Sequence, residues 1–278
     1  MIKIIQITDI HLVPPGTELR RLDPERRFRD CLEQIEGEHG DAMALVVSGD
    51  LTDNGDRPSY ELLRDIIADY RLPPVYLTLG NHDRRETFSH VFPSAMDTST
   101  GSVQAQIDLG SQQGIVLDTW MEGKHAGALC RQRLDWLAER LQLDPRPALL
   151  FMHHAPLRVA LKRIDQIPLL SDNELWETLA PFRERIRHLF FGHMHRNVSG
   201  SWRGIPFTVL SGTTHHGMLD FQTELIRDTI LDPFYAVILV DERDIVVHFS
   251  QVRLHWEATS RGPGPTNAAL REKSAIPA

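Results

Sequence analysis

Five polar clusters each close a short apolar run of strand length: Asp9-Ile10-His11, Ser48-Gly49-Asp50, Gly80-Asn81-His82-Asp83, His153-His154 and Gly192-His193-Met194-His195. A buried strand gains no stability from ending in such groups. Together they supply carboxylates, one carboxamide and six of the chain's fourteen histidines. Imidazole with carboxylate and amide oxygen suits Zn, Mn, Fe or Co, and no thiolate stands nearby for a softer site. In an extended segment residues i and i+2 point the same way, about 7 Å apart. Asp9 and His11 can therefore grip one ion, while His193 and His195 reach different ions of a pair about 3.5–4 Å apart. Asp50, with two carboxylate oxygens, can bridge them.

Two divalent ions, two carboxylates and a bridging hydroxide leave a charge of about +1, which favours a phosphate oxyanion. Coordination also lowers the pKa of water enough to supply hydroxide near neutral pH. Hydrolysis of a phosphate ester is the chemistry expected. The metal-bridging hydroxide attacks phosphorus in line, and a nearby imidazolium protonates the leaving alkoxide.

The elements that must position these groups are legible in the apolar pattern. Runs Ile2–Thr8, Ala44–Val47 and Val75–Leu79 alternate with two helical stretches, one opened by Asp23 as cap with Pro24 behind it, the other over Ser59–Tyr70. This is a βαβαβ unit with a parallel sheet, whose ligand sites lie beyond the carboxyl ends of the strands. The five clusters are expected to gather at one such edge. Ser102–Leu109 and Gly114–Asp118 read as a strand pair, and Cys130–Leu143 as a helix with Leu134, Leu137 and Leu141 in the core. Residues 197–211 and 234–252 read as hairpins, and a second, mixed sheet follows. The expected class is α/β, two packed mixed β-sheets flanked by helices in a four-layer αββα sandwich, with a domain over residues 1–258. Segments near 155–186 and 213–233 are expected to be cap-like insertions over the site, and 259–278 a flexible tail.

The chain has 278 residues, 41% hydrophobic and 24% charged, an ordinary globular balance. Its apolar runs are too short to span a membrane. A net charge of −8 argues against duplex nucleic acid as partner, though a small anion at a local positive site is compatible with it. No secretory leader precedes Asp9, and Cys31 and Cys130 read as free thiols, so a cytoplasmic setting is expected. The arginines at 20, 21, 26, 27 and 29, interleaved with acids, read as a solvated face. His154 reads as a hydrogen-bonding residue or a filler rather than a ligand, and His216 has no assignment.

The order Asp-x-His, Gly-Asp, Gly-Asn-His-Asp, His-His and Gly-His-x-His resembles the five signature blocks of calcineurin-like metallophosphoesterases, over roughly residues 2–210. The short Gly-His-Met-His block and Ser-Gly-Thr-Thr-His-His at 211–216 resemble bacterial class III cyclic-nucleotide phosphodiesterases and related glycerophosphodiesterases. The resemblance implies Asp9, His11 and His195 on one metal, Asn81, His153 and His193 on the other, and Asp50 between them. It implies that His82 contacts the substrate phosphate and assists the leaving group, that Asp83 orients His82, and that His215 lies near the substrate pocket. One departure is His153-His154-Ala155-Pro156, where those relatives usually have His-His-Pro-Pro. The expected activity is a binuclear-metal phosphodiesterase acting on small diesters, cyclic nucleotides such as cAMP or glycerophosphodiesters. The alternatives are a phosphomonoesterase or nuclease of the same superfamily, or a non-catalytic binding scaffold. Similarity to relatives that assemble implies a homo-oligomer.

Overall fold

Alternation along the strands sorts their side chains into three apolar layers. In a computed structural model that describes residues 1–225 and 227–252, β1 (Ile2–Ile7), β2 (Ala44–Ser48) and β3 (Val75–Thr78) run parallel. Ile4 and Val46 face inward between two sheets, whereas Ile5, Ile7, Leu45 and Val47 face out toward helices. The helices they meet are α1 (Pro24–His39) and α2 (Arg57–Ala68), with α3 (Arg85–Val91) beside α2. Asp23 and Asp56 cap α1 and α2, accepting the backbone N–H of Arg26 and Ser59, with a proline in each first turn.

The second sheet is built from β4 (Ala105–Asp108), β5 (Gln113–Leu117), β6 (Ala148–Met152), β7 (Ile186–Phe191), β8 (Val198–Trp202) and β9 (Ile205–Val209). Its order is β4-β5-β6-β7-β9-β8. Leu149, Phe151 and Phe190 meet the first sheet, and Leu150, Met152, Leu189 and Phe191 pack outward, where α4 (Arg131–Leu143) and α5 (Asp172–Leu179) cover them. The layers are therefore helix, sheet, sheet, helix, the sandwich expected.

Four expectations are corrected. The 234–252 hairpin, β12 (Phe234–Val240) and β13 (Ile245–Gln251), does not enter the second sheet; it extends the first, with β12 antiparallel to β1. Its inward residues Ala236 and Ile238 fill the space beside Ile4. The five clusters accordingly do not share one sheet edge: three leave the first sheet and two leave the second, at the same end of the sandwich. The 155–186 segment is not wholly an insertion, since α5 packs beside α4 in the outer layer. Nor are all the arginines solvated: Arg27 is buried, its Nε donating to Thr213 O at 2.6 Å and its guanidinium also reaching Leu231 O. The 213–233 segment holds one short antiparallel pair, β10 (His216–Gly217) with β11 (Asp228–Thr229). The expected tail at 259–278 lies outside the described residues. Among those described, no helix is long and apolar enough to cross a membrane.

One core histidine makes stability depend on acidity. His188 on β7 is buried, stacks on Phe190 with ring centroids 4.4 Å apart, and bonds Thr208 Oγ1 at 2.9 Å. Burial pushes its imidazole down to about 4. The unfolded chain binds this proton near its ordinary value of about 6.5. The contribution is therefore intact above about 6.5 and is lost as the pH falls toward 4. Between about pH 7 and pH 5 this amounts to about 2 kcal/mol. His188→Gln is expected to lose that much less stability over the same interval in urea titrations, and equal slopes for both proteins would refute it.

Candidate metal centre

The loops after the strands reach the site through unusual backbone. Of the nine non-glycine residues with positive φ among those described, five are Asp9, His11, Asp50, His193 and His195. Such conformations cost of order 1–3 kcal/mol each and persist where function requires them. The loops are stitched together: Asp9 N donates to Gly49 O at 3.0 Å, His11 N to Asp50 O at 2.9 Å, and Gly192 N to His153 O at 3.1 Å. Below them Gln6 Nε2 donates to Ser48 Oγ at 2.9 Å and to Phe191 O at 3.3 Å, tying β1 and β2 to the end of β7. Gly80 leaves room for this closeness, since a Cβ there would run into Asp50 Oδ1 and sit 2.7 Å from His153 Nε2.

Asp9, His11, Asp50 and His195 place one donor atom each within a common 4.8 Å. His195 Nε2 is 3.3 Å from Asp9 Oδ1, and His11 Nε2 is 3.6 Å from Asp50 Oδ2. His153 Nε2 stands 3.3 Å from the same Oδ2. His193 joins His153, with ring centroids 5.1 Å apart. Asp50 thus lies between two groups of histidines.

Partners fix the tautomers, because a carbonyl or carboxylate only accepts. His11 Nδ1 donates to Asp53 Oδ1 at 3.1 Å, His195 Nδ1 to His215 O at 3.0 Å, and His153 Nδ1 to Ser48 O at 2.9 Å. In its neutral form each therefore presents a bare Nε2. The Nε2 atoms of His11 and His195 face each other at 3.2 Å, a separation that requires either a shared proton or a cation between two lone pairs. His193 is held the other way round, Nε2 donating to Ile167 O at 3.0 Å, which frees Nδ1. His153 Nε2 and Asn81 Oδ1 are buried without a hydrogen-bond partner, although unsatisfied buried polar atoms are costly. Asn81 Nδ2 lies 3.2 Å from His125 Nδ1, so it is the amide oxygen that remains unpartnered. This donor set fits two transition-metal ions.

The electrostatics agree. Burial lowers the His153 imidazole, but Asp50 and Asp9 outweigh it and raise it to about 9, while burial pushes His193 down to about 3. The carboxylates draw positive charge to His153, a place that a proton or a metal ion can fill, while burial keeps the His193 ring neutral.

His82 approaches without being buried in the cluster: its backbone N donates to Asp50 Oδ1 at 2.9 Å and its Nδ1 to Asp53 O at 2.8 Å. Its Nε2 is left free. Asp83, expected to orient His82, does not touch that ring. Its carboxylate instead accepts Gly80 N, Leu51 N, Thr52 N and the Tyr60 hydroxyl, at 2.9–3.1 Å, binding the loops after β2 and β3 to each other. The ring is oriented by Asp53, which the sequence reading missed, although it lies three residues after Asp50. His125, also missed, sits in a segment with no strand-end signal. His154 is saturated: Nε2 donates to His125 O at 3.1 Å and Nδ1 accepts from Thr119 Oγ1 at 2.8 Å. It bonds the loops and is not free as a ligand. His215 stacks on His195 with centroids 4.1 Å apart and lines the cavity, and His216 bonds Ser211 Oγ at 2.6 Å.

Above the centre opens a cavity of about 290 Å³ with His11, Asp50, Asn81, His82, His193 and His195 at its floor. Leu161, Arg163, Ile164 and Ile167 form one wall, and Met218, Asp220, Leu225 and Arg227 another. Lys162 Nζ donates to Gln222 O at 2.8 Å, joining the two segments that bear these walls. Arg20 also lines it, paired with Asp228.

Residues 2–197 match the family model described as calcineurin-like phosphoesterase. A probable cyclic nucleotide phosphodiesterase of Rhodopseudomonas palustris is 37% identical over 251 residues, 88% of this chain and 91% of that protein. The 3',5'-cyclic adenosine monophosphate phosphodiesterase CpdA of Escherichia coli is 32% identical over 73% of each chain. Among solved structures, a dimetal phosphatase from Danio rerio superposes with a TM-score of 0.66 at 16% identity, covering 91% of this chain and 96% of that one.

Proposed function

Because this chain belongs to the calcineurin-like phosphoesterase family, we propose that it is a metal-dependent phosphodiesterase acting on small diesters, with cyclic nucleotides and glycerol-linked diesters as the leading substrates. In this reading Asp9, His11 and His195 hold one ion, Asn81, His153 and His193 the other, and Asp50 stands between them. Fe, Mn, Zn or Co suits these donors. Ions held there supply Lewis acidity and lower the pKa of water. The two unpaired cysteines, Cys31 and Cys130, suit a reducing cytoplasm.

The chain's own residues account for the rest. His82 Nε2 faces the cavity with its other nitrogen anchored on Asp53 O, so as an imidazolium it can deliver its Nε2 proton to the departing ester oxygen and regain one from the attacking water. Leu161, Ile164, Ile167 and Met218 provide an apolar surface for the group that stays on phosphorus. The observation that supports this reading most is the meeting of the His11, His195 and His153 Nε2 atoms with Asp50 beneath a cavity of about 290 Å³. That size, near the lower end of ligand sites (~300–1,000 Å³), suits a small molecule better than a nucleic-acid strand. The relatives named as cyclic nucleotide phosphodiesterases support it independently.

Manganese-loaded protein is expected to hydrolyse bis(p-nitrophenyl) phosphate with a kcat/KM about tenfold or more above that for p-nitrophenyl phosphate. Chelation is expected to abolish both activities. Preference for the monoester would replace this reading with a phosphomonoesterase.

A further inference from the structure

One side chain of α1 grips both ends of the segment that forms a wall of the cavity. Arg27 is buried, and it donates through Nε to Thr213 O at 2.6 Å and through Nη2 to Leu231 O. Burying a cation against carbonyl oxygens is costly, so stability by itself gives little reason for an arginine here. The cost shows in its proton affinity, which burial lowers from the ordinary value. An arginine does what an apolar residue cannot: its planar fork donates to two acceptors at once in a fixed geometry. Between those acceptors lie Met218, Leu225 and Arg227 of the cavity wall, and at the first of them begins the turn that carries His215.

That turn supports one half of the metal centre and not the other. His195 Nδ1 donates to His215 O at 3.0 Å, and His195 O accepts Ser211 Oγ at 2.9 Å and Gly217 N at 2.7 Å. Thr214 Oγ1 donates to Asp9 O at 3.4 Å, and a Cβ on Gly212 would lie 2.8 Å from Asp9 Cβ. The remaining donors lean elsewhere: His153 on Ser48 O, His193 on Ile167 O, and Asn81 against His125. We infer that Arg27 is a positioning residue for a single metal position, that of Asp9, His11 and His195. By fixing Thr213 O it holds the His215 carbonyl that orients the His195 ring and presents Nε2. This rests on the metal assignment proposed above. Partners that orient a ligand histidine from behind typically change metal affinity by about 10–100-fold, so the effect of Arg27 falls on one ion and spares its neighbour.

The test is calorimetric titration of metal-stripped protein with manganese. Arg27→Met is expected to weaken one of the two manganese ions by about tenfold or more and to leave the other within about twofold. Arg27→Lys, which keeps the charge but donates from a single point, is expected to recover part of the loss. The same Arg27→Met change in a His195→Ala background, where this position is already lost, is expected to alter the remaining ion by less than about twofold. An arginine that served only the fold would weaken both ions alike or neither. Equal weakening of both, no weakening, a tenfold loss that persists in the His195→Ala background, or loss of the native circular dichroism in both Arg27 variants would overturn the inference. Wild-type protein that binds no manganese would remove the metal assignment with it, whereas two bound ions without hydrolysis of any diester would remove only the phosphodiesterase reading.

Discussion

Asp50→Ala is expected to empty both metal positions and to lower kcat/KM by roughly a thousandfold, the equivalent of about 4 kcal/mol of lost charge stabilisation. Asp50 Oδ2 is 3.6 Å from His11 Nε2 and 3.3 Å from His153 Nε2, so it reaches both donor groups, His153 more closely than Asp9 does, whose Oδ1 is 4.0 Å from His153 Nε2. Asp50 Oδ1 accepts His82 N at 2.9 Å, and the alanine variant therefore also frees the loop that carries Asn81 and His82. Asp50→Asn separates these effects. An amide oxygen still accepts His82 N–H but lacks the negative charge, so metal affinity is expected to fall while the loop stays ordered. Elemental analysis after dialysis, with the thermal midpoint followed as manganese is added, reads both outcomes. A full complement of metal in Asp50→Ala would show that the two donor groups do not depend on this carboxylate.

The same geometry explains which parts of the molecule were legible beforehand. Asp9, Asp50, Asn81, His153, His193 and His195 stood out because polar residues at the ends of apolar strands contradict what burial favours, a conflict visible within ten residues of sequence. The helix start at Asp23 is equally local, since cap and proline adjoin, whereas α2 opens at Arg57 behind Asp56, ahead of the Ser59 expected. Sheet membership is not local. The 234–252 hairpin alternates in a way that suits either sheet, and only its pairing with β1, over two hundred residues away, decides. Asp83 was misassigned for a related reason: adjacency to His82 suggested contact, yet past the turn at Asn81 and His82 its carboxylate points toward the N–H groups after β2. Arg27 looked like one charge among many until Thr213 and Leu231 came to cover it.

His82→Ala is expected to leave metal content nearly unchanged and to lower turnover by about 10²–10⁴, the usual contribution of a positioned proton donor. The ring meets the centre only at its edge, with centroids 4.8 Å from His11. Its Nδ1 is committed to Asp53 O, and the backbone bond to Asp50 survives truncation. Loss of a ligand would weaken metal binding, whereas loss of a proton donor weakens only the departure of the alcohol. The two are separable by leaving group: p-nitrophenolate departs without a proton, and an alkoxide needs one. The variant is therefore expected to be impaired much less on bis(p-nitrophenyl) phosphate than on glycerophosphoethanolamine. Equal impairment on both would mean that His82 binds phosphate rather than protonating the alcohol, and metal loss would place it among the ligands.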